Sequence, residues 1–277
     1  MPLDSIAIAV APNGGRRTAA DHPALPMTPS ALALTVAECL EAGAAMTHLH
    51  VRDAEGRHLL DADAYRAAIS AIRHAVGDKM IVQITSESLG IYAREVQMDV
   101  VRRTKPEAVS LALRELVPDR KAELGFAEFL EWLKRERVLP QIILYDPGEV
   151  RRLADMRQRG VIPWGDIPVL YVLGRYTRTQ QSSPADLLPF LAPDMPRFSS
   201  FMVCAFGRDE AACVSTAALL GGDARVGFEN NLHLPDGTIA PSNAALVDAV
   251  AQILRAAGRQ TQTAQSLGEV WQRVLAS

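Results

Sequence analysis

Two histidines separated by a single residue, His48 and His50, are the feature of the sequence best suited to chemistry. They lie in an apolar segment, residues 46–52, that we predict to be a β-strand. Alternate residues of a strand point to the same face, so the two imidazoles can converge on one metal ion. The spacing therefore predicts part of a metal site, and the alternative is a pair of surface histidines that bind nothing.

A third metal ligand is expected from Glu229, near the end of the predicted strand at residues 225–230. An acidic side chain in an otherwise apolar strand is costly unless it is paired or bound to a metal. Two histidines and one carboxylate that leave one position open form a catalytic type of zinc site. The alternative is a structural ion pair between Glu229 and Arg225 or Arg52.

Short apolar segments alternate with longer helical patterns along the chain, which predicts strands joined by helical crossovers in a parallel sheet. The eight predicted strands are residues 5–12, 46–52, 80–86, 108–114, 140–146, 167–174, 198–206 and 225–230. Eight strand–helix units in 277 residues predict one α/β domain over residues 1–277, a (β/α)8 TIM barrel with an extra C-terminal helix at 266–275. The alternative is an open doubly wound sheet, although no GxGxxG motif follows the first strand.

Polar side chains at the carboxyl ends of the predicted strands should surround an active site, because a barrel places these ends together. The third strand ends at Thr85 and Ser86, Glu87 follows, and Ser110 lies in the fourth strand. The first strand alone separates the second from the eighth, so the histidine pair and the acid can meet. The remaining histidines have no such spacing, and we expect them at the surface: His22, His58, His74 and His233.

The composition is that of an ordinary globular enzyme, with 48% hydrophobic and 22% charged residues and a net charge of −3. It shows no basic stripe for a nucleic-acid partner and no apolar run near the roughly 20 residues that span a membrane. The start of the chain has no signal-peptide pattern. The three cysteines are scattered, which excludes a disulfide scaffold and an all-cysteine zinc site. We therefore expect a cytoplasmic protein without nucleic-acid or membrane partners.

Several segments are similar to the β-keto acid cleavage enzyme family, whose founding activity is 3-keto-5-aminohexanoate cleavage. They occur in the order AVAPNGG, HLHVRD, QITS, LYDPG and RVGFENN. The resemblance implies a (β/α)8 barrel and one divalent metal, usually Zn²⁺, bound by His48, His50 and Glu229. It also implies that a β-keto acid and acetyl-CoA give acetoacetate and a new CoA thioester. It further implies a homodimer or homotetramer. The C-terminal helix with Trp271 is a candidate for the contact between subunits.

Two positions depart from the family pattern, and the first concerns proton abstraction. The family's glutamate is normally followed by an aspartate that acts with the arginine four residues before the glutamate. Here Arg225 is retained, but Asn230 replaces the aspartate. An amide cannot act as a carboxylate base, so another group takes the proton or the reaction is altered. Glu87, where the family usually has glycine, is a candidate substitute, and the alternative is an exposed loop acid.

The second departure is Arg16, at the position of the acid that receives the substrate's amino group in the founding activity. A cation repels an ammonium and attracts a carboxylate. We therefore predict a β-keto acid whose second end is anionic or accepts hydrogen bonds, rather than the amino-hexanoate. The alternatives for Arg16 are the CoA phosphates or solvent. Ser86 and Ser110 are expected by family position to contact the substrate carboxylate or a CoA-derived oxygen, with Thr85 beside them.

The sequence thus predicts a metal-dependent enzyme that cleaves a β-keto acid with acetyl-CoA, bound across the barrel mouth. A CoA-independent zinc aldolase or decarboxylase is the alternative within the same class. A non-catalytic metabolite-binding barrel is a further alternative, favoured by Asn230. Two histidines and a carboxylate accept several divalent first-row ions, so the metal is zinc or one of its neighbours.

Overall fold

A computed structural model describes residues 5–277, and its centre is a closed barrel of eight parallel strands. The ten strands within these residues are β1 (Ile8–Val10), β2 (Met46–Leu49), β3 (Val51–Arg52), β4 (His58–Leu59), β5 (Ile81–Thr85), β6 (Ala108–Ala112), β7 (Leu139–Leu144), β8 (Val169–Leu173), β9 (Phe201–Ala205) and β10 (Asp223–Val226). β3 and β4 form a separate antiparallel pair, and the other eight strands form the barrel wall, in which β1 lies between β2 and β10. The predicted TIM barrel is confirmed, and the open doubly wound sheet is wrong.

Nine α-helices occur in the described part of the chain, and most of them follow a barrel strand. They are α1 (Pro29–Glu41), α2 (Ala62–Val76), α3 (Arg94–Thr104), α4 (Leu113–Leu116), α5 (Glu123–Glu136), α6 (Pro147–Gln158), α7 (Glu210–Leu219), α8 (Asn243–Ala256) and α9 (Ala264–Ala276). Side chains of Thr28, Asp61, Asp146 and Ser242 accept from first-turn N–H groups and so fix the starts of four helices. Among residues 5–277, no helix has the length and apolar character needed to cross a membrane.

Two strands end three or four residues before their predicted last residue, β2 at Leu49 and β10 at Val226, and both ends shape the site. β2 pairs with β1 up to Thr47 and with β5 up to Leu49, and the chain then leaves the wall through the β3–β4 hairpin. β10 stops at Val226 rather than at residue 230. Gly227 has a φ of 138°, and a Cβ there would lie 2.3 Å from the carbonyl oxygen of Ala11. The chain turns at this glycine, so Glu229 lies on a turn after the strand.

The fourth predicted strand, residues 108–114, ends at Ala112, where α4 begins. The segment between β8 and β9 contains a 3₁₀ helix, Pro184–Phe190, which includes Pro189. Proline lacks the backbone N–H that a continuing α-helix would need, which accounts for this irregular segment.

The amino-terminal end of the barrel is closed by α9 of the same chain. Leu267 and Trp271 of this helix are fully buried in a cluster with Met46 and Ile81, at the starts of their strands. Trp271 therefore packs under its own barrel, which corrects its candidate role in subunit packing. The opposite end of the barrel, where the strands have their carboxyl ends, is open and is where TIM barrels carry their active sites.

Candidate active site

His48, His50 and Glu229 lie together at the carboxyl end of the barrel. His48 is on β2, His50 directly follows this strand, and Glu229 is on the turn after β10. One potential ligand atom from each residue lies within 4.8 Å of the others. Glu229 Oε2 is 3.6 Å from His48 Nε2 and 3.3 Å from His50 Nε2. The structure thus brings together all three residues that the sequence predicts as metal ligands; they are called the ligand cluster below.

The glycine-rich loop after β1 holds both sides of the ligand cluster. The Asn13 amide donates to the carbonyl of His50 at 3.0 Å and accepts from its N–H at 3.3 Å. Gly14 packs directly on Glu229, since a Cβ at Gly14 would lie 2.7 Å from Glu229 Cγ. The AVAPNGG segment is therefore a support for both the histidine strand and the acid turn.

The turn that carries Glu229 is fixed by two buried side chains behind it. Asn243 accepts from the Phe228 N–H at 2.9 Å and donates to the Pro12 carbonyl at 3.0 Å. Glu210 accepts from the Gly227 N–H at 3.2 Å. Burial raises the pKa of Glu210 to about 8, against the opposing effect of its hydrogen bonds. These contacts anchor the turn to α7, α8 and the first loop.

Arg225 pairs with one of the two oxygens of Glu229. Its Nη2 donates to Oε1 at 2.6 Å, and the Arg225 side chain is only 3% exposed. Burial alone would raise the pKa of Glu229, but the charge of Arg225 holds it well below its usual range. Oε2 is buried and has no hydrogen-bond partner. The ion pair therefore occupies one oxygen and leaves the other facing the histidines.

His48 is held in the form that binds a metal. Its Nδ1 lies 2.8 Å from Gln83 Oε1, and the Gln83 amide in turn donates to Gln141 Oε1 at 3.0 Å. An amide oxygen only accepts, so Nδ1 of His48 donates and Nε2 keeps its lone pair. Burial is the main cause that lowers the pKa of His48 to about 3, so the ring is neutral near pH 7.

The ligand cluster fits a divalent metal ion. His50 Nε2 and Glu229 Oε2 are buried and lack hydrogen-bond partners, a rare condition for polar atoms in folded proteins. An ion between them would satisfy both atoms. Two neutral imidazoles and one carboxylate are the donor set of catalytic zinc sites and suit several other first-row ions.

Two connected cavities lead from the ligand cluster to the barrel mouth, and both are lined by Glu87, Arg175, Phe206 and Glu229. The inner cavity is also lined by His48, Thr85, Ile143, Tyr145, Leu170, Val172 and Arg225. The outer cavity is also lined by Asn13, Gly14, Gly15, Arg16, Arg17 and Gln180. A small substrate that entered through the outer cavity would therefore pass three arginines before it reached the ligand cluster.

Glu87 faces both cavities. Its side chain is 16% exposed, its Oε2 lies 3.9 Å from His50 Nε2, and Arg175 Nη2 lies 3.4 Å from its Oε1. This position differs from the exposed loop acid that we kept as the alternative. Glu87 is therefore a carboxylate beside the ligand cluster.

Among the other predicted substrate residues, Thr85 faces a cavity, whereas Ser86 and Ser110 do not. Thr85 lines the inner cavity, and its Oγ1 accepts from the Glu87 N–H at 3.0 Å. Ser86 Oγ donates to the Ser110 carbonyl at 2.8 Å. Both serines are buried, and neither lines the inner or the outer cavity. They therefore lie behind the residues that form the cavity walls.

Asn230 lies beside the cavities rather than in them. It is fully buried, and neither its amide nitrogen nor its amide oxygen has a hydrogen-bond partner. It lines an adjoining surface groove together with Arg17, Gln180, Arg208 and His233. The structure therefore does not bring Asn230 to the wall of either cavity.

Two arginines near the mouth have different surroundings. Arg16 is exposed at the rim of the outer cavity. Arg52, an alternative ion-pair partner of Glu229 in the sequence analysis, instead donates to the carbonyls of Gly14 at 3.1 Å and Gly56 at 2.7 Å. The hairpin turns Arg52 toward the first loop, so it supports that loop and does not pair with Glu229.

Two histidines that were expected at the surface, His22 and His58, are buried. The His22 ring packs against Phe228 at 4.3 Å between centroids. His58 lies opposite Arg52 in the hairpin, and its ring is 5.3 Å from that of His50. The sequence offers no local spacing for this contact, because the predicted strand 46–52 includes β3 but not β4, and no hairpin is predicted there. His74 is exposed, as expected, and His233 is partly exposed.

Comparison with known proteins identifies the family. The profile described as beta-keto acid cleavage enzyme matches residues 5–271. The chain is 27% identical to a 3-keto-5-aminohexanoate cleavage enzyme of Fusobacterium nucleatum subsp. nucleatum, over 94% of this chain and 95% of the relative. It is 29% identical to a 3-oxoadipate:acetyl-CoA acetyltransferase of Cupriavidus necator, over 92% of this chain and 90% of the relative.

A solved structure of ObcA with oxaloacetate has the same fold. It superposes with a TM-score of 0.71 at 19% identity and covers 90% of this chain and 67% of the ObcA chain. The matching profile extends over nearly the whole chain, including the histidine pair and the glutamate turn. This protein therefore belongs to the beta-keto acid cleavage enzyme family.

Proposed function

We propose that this enzyme uses a divalent metal, with zinc as the first candidate, to cleave a β-keto acid with acetyl-CoA. The products are acetoacetate and the CoA thioester of the remaining acyl group. The convergence of His48 Nε2, His50 Nε2 and Glu229 Oε2 at the end of the cavity supports this proposal most strongly. Membership of this enzyme family favours catalysis over the metabolite-binding alternative.

The overall reaction exchanges two acyl groups. The acetyl group of acetyl-CoA joins the carbon between the keto and carboxylate groups of the substrate, and the original acyl group leaves as its CoA thioester. A bound divalent metal would supply a Lewis acid that polarises the keto oxygen and stabilises negative charge on it. His48, His50 and Glu229 would hold it.

The chain must also remove a proton from the substrate carbon that forms the new bond. We assign this task to Glu87, because Asn230 is an amide and lines neither cavity. The Glu87 carboxylate lies 3.9 Å from His50 Nε2, so it is close to any group bound at the ligand cluster. Arg175, 3.4 Å from the other oxygen, keeps the carboxylate oriented. Arg225 stays a positioning residue that holds Glu229 through Oε1.

The outer cavity favours an anionic end of the substrate. Arg16, Arg17 and Arg175 line it, while its two acids, Glu87 and Glu229, are each paired with an arginine. A carboxylate entering here would meet the guanidinium groups of Arg16 and Arg17, which form no ion pair within the described residues and can bind it through two hydrogen bonds. We therefore propose a β-keto acid with a second carboxylate, or with another group that accepts hydrogen bonds.

We expect Arg16→Glu to change the substrate preference of the enzyme. The ratio of kcat/KM for 3-oxoadipate to that for 3-keto-5-aminohexanoate should fall about tenfold, because an attraction at the rim becomes a repulsion. The control is Arg135→Glu, an exposed arginine in the last turn of α5. An unchanged ratio in Arg16→Glu would show that Arg16 does not face the substrate tail.

A surface groove at the barrel mouth is our candidate binding site for acetyl-CoA. The groove beside the outer cavity shares Arg17, Gln180 and Phe206 with it and adds Arg208 and His233. Arg17 and Arg208 give the groove a positive character that suits the phosphates of CoA. We propose that the nucleotide lies in this groove while the thioester reaches the inner cavity.

We further propose that the enzyme works in the cytoplasm as a homodimer or homotetramer. Cys39, Cys204 and Cys213 are buried and free, which suits a reducing compartment. Several large apolar side chains of the described residues are more than half exposed and are candidates for subunit contacts: Leu34, Ile91, Leu124, Tyr176 and Leu188. Light scattering on the purified protein gives the oligomeric state directly.

The proposed reaction is tested by measuring acetoacetate formed from a panel of β-keto acids with and without acetyl-CoA. Formation that requires acetyl-CoA and yields a matching acyl-CoA supports the proposal. Cleavage at an equal rate without acetyl-CoA would instead support the zinc aldolase or decarboxylase alternative.

A further inference from the structure

We propose that His58 is a positioning residue that holds His50 with its proton on Nδ1 and its Nε2 lone pair toward the metal. This inference rests on the proposed metal function and concerns a residue outside the ligand cluster. His58 is on β4 of the hairpin, eight residues after the ligand that it contacts. Three observations support it.

The first observation fixes the tautomer of His58. Its Nε2 lies 2.7 Å from the backbone carbonyl oxygen of Glu87. A carbonyl oxygen only accepts hydrogen bonds, so Nε2 of His58 must donate. In a neutral ring the proton is then on Nε2, and Nδ1 presents a lone pair.

The second observation fixes which ring nitrogen of His50 is protonated. The Nδ1 atoms of His50 and His58 are 3.5 Å apart, a long hydrogen bond. Because Nδ1 of His58 accepts, Nδ1 of His50 must be the donor. A neutral His50 then keeps its lone pair on Nε2, the atom 3.3 Å from Glu229 Oε2 that has no hydrogen-bond partner.

The third observation shows that the two nitrogens have little room for other partners. His50 is fully buried and His58 is 5% exposed. Gly15 covers the contact, since a Cβ there would lie 3.2 Å from His58 Nδ1 and 3.3 Å from His50 Nδ1. With His58 in place, a water molecule could not reach Nδ1 of His50 without displacing the loop after β1.

The two histidine ligands are therefore supported in different ways. Gln83, on the neighbouring barrel strand β5, accepts from His48. His58 accepts from His50 and also donates to the carbonyl of Glu87, whose carboxylate we propose as the base. His58 thus connects a metal ligand to the loop that carries the base. Hydrogen-bonded partners of this kind orient a metal ligand and raise its basicity.

The affinity of the protein for Zn²⁺, measured by competition with a chromogenic chelator, tests the proposal. We expect His58→Leu to weaken zinc binding roughly 10- to 100-fold, the usual effect of losing such a partner. We expect His58→Asn to keep affinity within a few-fold, because its amide oxygen can accept from His50. His74→Leu, which removes an exposed histidine of α2, is the control and should bind like the wild type. Equal affinities for His58→Leu and the wild type would overturn the proposal.

A second measurement is made on the wild-type protein and needs no variant of His58. In the metal-free wild type labelled with ¹⁵N-histidine, we expect the His50 ring to show a protonated Nδ1 and an unprotonated Nε2, with the signal assigned by its loss in His50→Gln. A His50 ring protonated on Nε2 would overturn the inference. A wild type that takes up no zinc would contradict the proposed metal function, and the His50 signal would still decide the role of His58.

Discussion

Replacing Glu229 with glutamine is expected to remove the bound metal and to lower the rate of acetoacetate formation by roughly 10²–10³-fold, since a metal contributes several kcal/mol to the transition state. The substitution keeps the shape of the side chain but removes the charge of the only carboxylate in the ligand cluster. Metal content by elemental analysis and kcat/KM, measured on the same preparation, should fall together.

The same substitution should also destabilise the fold, because it leaves Arg225 buried without its partner. Removing one member of a buried ion pair typically costs about 3–5 kcal/mol. In the wild type the folded-state pKa of Glu229 lies below its ordinary value of 4.5. The pair therefore stabilises the protein above that pH, and this stabilisation is lost as the pH falls through the lowered pKa. Urea unfolding at pH 7 of the metal-free proteins measures the difference.

A matched control separates loss of the metal from loss of an ion pair. Glu107 pairs with Arg73 and directly precedes β6, at the end of the barrel away from the ligand cluster. Glu107→Gln should lower stability modestly and leave metal content and activity unchanged. A Glu229→Gln protein that kept wild-type zinc content would contradict the assignment of Glu229 as a ligand.

The second large effect is expected for Glu87→Gln, which should lower kcat roughly 10²–10⁴-fold, the usual contribution of a general base. Zinc content should stay at the wild-type level, because Glu87 lies beside the ligand cluster and not in it. The glutamine keeps the size of the side chain and can still accept from Arg175. Retained kcat would show that another group takes the proton.

Asn230→Asp tests where the base resides. If Glu87 is the base, we expect Asn230→Asp to change activity little in both the wild-type and the Glu87→Gln backgrounds, because position 230 lines neither cavity. A large gain from Asn230→Asp alone, combined with full activity of Glu87→Gln, would assign the base to position 230. Exposed residues provide a further control, and Glu55→Gln should not alter the rate.

The barrel and the histidine pair could be predicted from the sequence because both depend on short-range order. Alternating strands and helices determine the parallel barrel, and the HxH spacing puts His48 and His50 on one side of β2. Glu229 was expected in a strand but lies on a turn, since Gly227 packs too closely on Ala11 for the strand to continue. The acid still reaches the histidines because β1 alone separates β2 from β10.

The contacts that support the site could not be predicted, because they join distant segments. His58 reaches His50 only through the β3–β4 hairpin, and the same hairpin directs Arg52 toward the first loop. The inward orientation of Glu87 depends on packing between the loops after β5 and β8, where Arg175 meets it. No local pattern of residues encodes either arrangement.

The most direct test of the account is the formation of acetoacetate by the purified enzyme from acetyl-CoA and a β-keto acid with an anionic tail, such as 3-oxoadipate. The zinc-loaded protein should form acetoacetate and the matching acyl-CoA in equal amounts. Chelator treatment should abolish this activity, and added Zn²⁺ should restore it. Equal activity in a protein freed of metal, with the removal verified by elemental analysis, would contradict a reaction centred on His48, His50 and Glu229.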